Sequence, residues 1–78
     1  YRYLADYLLK SGKERVTLTF SEIENILQTK LPQSANDHRA FWSNSTSHSI
    51  ALSWMNVGYE TTEVNMGKFV VFEKKRGY

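Results

Sequence analysis

Between Phe20 and Ser21 the hydrophobic pattern changes period with no linker between. VTLTF, Val16 to Phe20, alternates perfectly: Val16, Leu18 and Phe20 fall on one face, Thr17 and Thr19 on the other. β-Branched and aromatic residues in that order predict a strand. SEIENIL follows at once, with Ser21 and Glu24 spaced as a capping box and Ile23, Ile26 and Leu27 as an inner stripe, which predicts a helix ending near Lys30. A strand joined directly to a capped helix limits the chain to an architecture that mixes both elements.

The rest of the chain extends this core unit. YRYLADYLLK sets Tyr1, Leu4, Tyr7 and Leu8 at helical spacing with Gly12 as a stop, so a first helix precedes the strand. Beyond Lys30, LPQSAND holds the only proline, Pro32, and Ser34 with Asp37 predicts a short extra helix that brings Ala35, His38, Phe41 and Trp42 near one another. A further helix is predicted from within Ser45-Thr46-Ser47 to about Val57, where Gly58 stops it. YETTEV and KFVVFEK then read as two strands, and Asn65-Met66-Gly67 suits the tight turn of a hairpin.

Helix, strand, helix, short helix, helix, strand, strand is the order of a winged helix-turn-helix. The expected fold is therefore α+β and winged-helix-like. It has three main helices plus one short extra helix, and a three-stranded antiparallel sheet that includes a C-terminal β-hairpin wing. In that arrangement SEIENIL is the positioning helix and SHSIALSWMN the recognition helix. The connection from Lys30 to Ser45 is much longer than the turn of an ordinary helix-turn-helix and has to contain the extra helix. With 78 residues and neither repeat nor low-complexity linker, residues 1–78 read as a single domain with one small core. Opening on Tyr1, not Met, the chain also reads as a fragment of a longer protein.

Several function classes are poorly served by this composition. No cysteine is present, so disulfides and thiolate metal sites are absent, which suits a reducing cytoplasm. No apolar run reaches membrane-spanning length, and no membrane partner is expected. His38 and His48 lie ten apart, matching no usual ligand pair, so no metal is expected. Ser47, His48 and Asp37 come with no nucleophile elbow, Glu22 and Glu24 point to different sides of their helix, and no glycine loop could cradle a phosphate. The chain is expected to be no enzyme and to need no cofactor. A net charge of +2 is far from that of a non-specific nucleic-acid binder, although Lys13 and Arg15 flank the first strand and Lys74, Lys75 and Arg76 close the chain.

What stands out is that Ala40 to Tyr59 carries no formal charge in a chain that is 23% charged. Ile50, Ala51, Trp54 and Val57 share one face of the predicted helix, while Ser49, Leu52, Ser53 and Asn56 share the other with His48 at its margin. Short neutral hydrogen-bonding groups, where an exposed helix ordinarily carries long charged ones, fit a surface that approaches a partner closely. Asn pairs with adenine edges, Ser with either kind of edge, and His donates to guanine or phosphate. Double-stranded DNA is accordingly the expected partner. The contact set comprises Arg39, Trp42, Ser43, Asn44, Ser45, His48, Ser49, Ser53, Asn56 and, on the wing, Lys68. Hydroxyls and bare amides at a helix start free of carboxylates would receive a phosphate. The alternative is a protein partner, or a second copy, covering the same uncharged face. Trp54 reads as core; Trp42 reads as core or as an indole placed to stack on a base.

The segments LTFSEIENIL, LP, SA, HRAFWSN, HSIALSW and VVF also resemble a family of small bacterial domains of unknown function. Its pattern is LTF-EIE-IL, LP-SA, RAWW-N and HS-A-AW-AG, ahead of a closing hydrophobic strand. The likeness runs from Tyr3 to Glu73, with Phe41 where Trp is typical. It implies a shared fold and marks Arg39, Trp42, Asn44, His48 and Trp54 as motif positions, and it implies no activity.

Overall fold

The computed structural model describes residues 2–75; Tyr1 of the first helical stripe and Arg76 of the basic end lie outside the described residues. Helix α1, Arg2–Ser11, buries Leu4 and Leu8, which lie one turn apart. Its inner face runs through Leu4, Ala5, Leu8 and Ser11, so Tyr7, expected on that face, falls on its margin and is 43% exposed. Gly12 ends the helix at a φ of 62°. Strand β1, Arg15–Thr19, alternates as its sequence requires, with Val16 and Leu18 inward.

The helix that follows starts earlier than expected. Two overlapping frames offer a capping box, Thr19 with Glu22 and Ser21 with Glu24, and the first is used. Glu22 N–H donates to Thr19 Oγ1 at 3.1 Å while Thr19 N–H donates to Glu22 Oε1 at 2.8 Å. That start makes Phe20 the first residue of α2, Phe20–Leu27, and puts Phe20, Ile23 and Leu27 on one buried face. A start at Ser21 would leave the largest apolar side chain of the joint outside the helical stripe. Gln28, at a φ of 59°, closes the helix after Leu27, three residues before Lys30. Glu24, released from capping, accepts Leu31 N–H at 2.9 Å and holds down the chain as it leaves the helix.

The long connection is mostly folded. It contains α3, Ser34–Asp37, and a 3-10 turn, Arg39–Trp42, and it buries Leu31, Ala35 and Trp42. Ser34 lies inside α3, with Gln33 at the cap position and its side-chain amide donating to Asp37 Oδ1. Helix α4 spans Ser49–Met55, shorter at both ends than the sequence suggested. Strands β2, Tyr59–Asn65, and β3, Phe69–Lys74, form the C-terminal hairpin, whose turn has Gly67 at a φ of 75°. The sheet is antiparallel in the order β1-β3-β2, with a bulge in β2 between Thr61 and Glu63. The domain is thus α+β, with helices around a three-stranded antiparallel sheet.

A chain of rings joins these parts. Phe20 lies 5.3 Å from Trp42, Trp42 stacks on Trp54 at 6.1 Å, and Trp54 lies 5.3 Å from Phe72, centroid to centroid. These contacts link α2, the 3-10 turn, α4 and β3 in one core. Rings at such separations attract beyond their buried area, by about 0.5–1.5 kcal/mol per pair. On the opposite face of the sheet Arg15 reaches Glu73 at 3.3 Å and Glu63 at 3.9 Å, crossing the central strand where Val71 is buried.

Candidate nucleic-acid interface

The uncharged segment divides into residues that hold the fold and residues left facing water. Trp42 belongs to the first group. It has no exposed surface, its Nε1–H donates to Ala35 O at 3.0 Å, and its ring is stacked on Trp54. A base cannot reach it, which corrects the stacking role. Trp54 is likewise buried, as expected.

Asn44 is the most heavily used polar side chain of the segment. Its Nδ2 donates to Thr61 O at 3.0 Å, and its Oδ1 accepts Thr61 N–H and Trp54 Nε1–H, both at 2.8 Å. Thr61, a buried polar residue, sends its own hydroxyl to Trp42 O at 2.7 Å. The amide of Asn44 is therefore committed to β2 and α4, although solvent reaches the residue. Ser43 spends its hydroxyl on Ala40 O at 2.8 Å.

The expected hydroxyl cap of the next helix is absent. Ser45 and Ser47 share a hydrogen bond of 2.7 Å between their hydroxyls, in a turn closed by His48 N–H donating to Ser45 O. His48 holds the cap position with no side-chain bond. A helix of seven residues has too short a row of peptide dipoles to make its start an anion site.

The outward face of α4 is also rotated from the expected one. Ser53 is 7% exposed, and its hydroxyl donates to Ile50 O inside the helix. That internal bond satisfies the polar atom and lets Ser53 go under, so it presents nothing to a groove. Ser49 and Asn56 are exposed, with Leu52 and Met55 half-buried beside them. Arg39 and Lys68 are exposed, while Ser45 and His48 are half-buried. Lys68 sits on the hairpin turn, which is tied to the end of β1 by Phe20 N–H donating to Lys68 O at 3.0 Å. Of the expected contact set, then, Trp42 and Ser53 are buried, and the Ser43 hydroxyl, the Ser45 hydroxyl and the Asn44 amide are bonded within the chain though solvent reaches all three residues. Arg39, His48, Ser49, Asn56 and Lys68 keep both surface and, among the described residues, unspent polar groups.

Sequence reasoning missed Thr61 and Tyr59. The Tyr59 hydroxyl donates to Lys13 O at 2.6 Å, bracing the turn between α1 and β1 from the start of β2. Both bonds join residues far apart in the chain, and nothing local announces them.

Fold and site together define a small α+β domain whose uncharged segment is half anchor and half surface. The chain belongs to a family of domains of unknown function, DUF7662, whose model matches residues 1–76. No curated protein and no solved structure matches it. Among the described residues no cluster of His, Asp and Glu is grouped to hold a metal, and no helix is long and apolar enough to cross a membrane.

Proposed function

We propose that this domain binds double-stranded DNA, with α4 as the recognition helix. The observation that carries the reading is topological. The elements run helix, strand, helices, hairpin, and the sheet order is β1-β3-β2; this order supports reading the helix before the hairpin as the one that winged-helix domains offer to the major groove. The contact set is smaller than the sequence alone suggested. Ser49 and Asn56, with His48 at the helix start, face the bases; Arg39 before the helix and Lys68 on the hairpin meet the backbone. The absence of any carboxylate from Ala40 to Tyr59 keeps repulsion of phosphates low along that stretch. The role would be exercised in a bacterial cytoplasm.

Arg39→Ala is expected to weaken binding to all sequences alike, whereas His48→Ala or Asn56→Ala alters the preference among them by about 1–3 kcal/mol per lost base contact. Mobility shifts at low salt test the proposal. No retention of duplex at about micromolar protein, where even non-specific complexes form, would end it.

A second reading has its own observation. A shallow groove of about 310 Å³ between α1 and α4 is lined by Arg2, Ala5, Ser49, Leu52, Ser53 and Asn56. A protein partner or a second copy seated there would cover the same helix. Sedimentation across concentration separates the readings, since self-association without DNA binding favours this one.

A further inference from the structure

The sheet has two outer edges, and hydrogen-bond parity tells which groups each presents. Glu14 O accepts Lys74 N–H at 2.8 Å, and Phe20 N–H donates to Lys68 O at 3.0 Å. With Arg15 opposite Glu73 and Thr17 opposite Val71, the even-numbered residues of β1 bond to β3. Arg15, Thr17 and Thr19 therefore turn their main-chain groups away from the sheet. The Thr19 N–H is taken by Glu22. Thr17, in the middle of the strand, is exposed, and outside the ladder its main chain meets no partner among the described residues.

Alongside this open edge runs a groove of about 490 Å³, between the last turns of α1 and β1, lined by Tyr7, Lys10, Lys13, Arg15, Val16 and Thr17 among others. Its lining carries three cations and no carboxylate. Arg15 is engaged by Glu63 and Glu73 on the outer face, but Lys10 and Lys13 have no ion-pair partner among the described residues. The half-exposed ring of Tyr7 and the side chain of Val16 supply apolar wall. An unpaired strand edge selects an extended main chain, and unpaired lysines beside it select carboxylates.

We propose that the free edge of β1 takes up an extended acidic peptide as a fourth strand. The peptide main chain pairs with the outward N–H and C=O groups of Thr17 and its neighbours. Its carboxylates, spaced two residues apart, meet Lys10 and Lys13. This site lies along the opposite strand edge from Asn44 and uses none of the residues assigned to DNA.

The test uses the whole 78-residue chain, labelled with nitrogen-15. It is titrated with a blocked peptide of about eight residues alternating valine and glutamate. Saturable amide shifts centred on Thr17, Lys10 and Lys13 are expected. The double variant K10E/K13E should raise the Kd about tenfold or more. Thr17→Pro should abolish the shifts; because the Thr17 N–H points away from β3, proline there leaves the ladder to β3 intact. Circular dichroism checks that this variant is folded. If it is not, the same peptide N-methylated at alternate residues, added to the unaltered chain, should bind on one face-register and fail on the other. Absence of saturable shifts at about millimolar peptide overturns the proposal. So does binding that ignores both Thr17→Pro and N-methylation, which would be attraction of charge without strand addition. Shifts at the same residues caused by a DNA duplex, with none from the peptide, would assign the lysines to nucleic acid and overturn it too.

Discussion

On the β2 side, the outer edge of the sheet is closed at Thr61 by a side chain. Thr61 lies opposite Phe72, which bonds towards β1, so the main-chain groups of Thr61 point outward, and the amide of Asn44 meets both. One carboxamide supplies the donor and the acceptor that the main chain of another strand would supply. On the β1 side the only such closure among the described residues is Glu22 on the Thr19 N–H, and none of them closes Thr17. The same sheet thus has one edge capped at Thr61 from within and one whose middle residue, Thr17, can still pair. Part of the uncharged segment serves that closure. Asn44, Trp42 and Trp54 form one hydrogen-bonded and stacked unit with Thr61, and a charge placed among them would be buried without a partner.

The largest effect is expected at Asn44. Asn44→Ala leaves Thr61 N–H, Thr61 O and Trp54 Nε1–H without their partner. The expected loss is about 3 kcal/mol, read as a lower urea midpoint with the slope unchanged. Next comes Glu22→Ala, which opens the one closed position of the β1 edge and removes half of the capping box; it should cost about 1 kcal/mol in the same assay. The smallest effect belongs to Ser21→Ala. Ser21 is the cap of the frame that the helix does not use, so the change should stay within about 0.5 kcal/mol. Were Ser21→Ala to cost as much as Glu22→Ala, the start of α2 would be misplaced, and with it the group that covers Thr19.

The sequence carried the element order clearly, because VTLTF alternates, SEIENIL has helical spacing, and Asn65-Met66-Gly67 sits between two runs of strand formers. Finer placement was lost where local rules tie. Thr19-x-x-Glu22 and Ser21-x-x-Glu24 are equally good capping boxes on paper, and only the burial of Phe20 chooses between them. The polar face of α4 failed for a related reason. In sequence, a serine that returns its hydroxyl to Ile50 O looks the same as one that faces water, so Ser53 was indistinguishable from Ser49. Asn44 looked like a surface amide because the residue that uses it, Thr61, lies seventeen positions away. What the uncharged stretch leaves for contact is narrow, His48, Ser49 and Asn56, with Arg39 before it and Lys68 beyond it.

Amide hydrogen exchange, resolved residue by residue, reads the two edges in one experiment. The Thr61 N–H, held by Asn44, should exchange only through larger opening of the fold, and Asn44→Ala should accelerate it selectively. The Thr17 N–H should exchange fast in the same protein even though its neighbours Val16 and Leu18 are protected by the ladder to β3. Equal protection at Thr17 and Thr61, or a Thr61 rate that Asn44→Ala leaves unchanged, would contradict an edge sealed by Asn44 facing an edge left open.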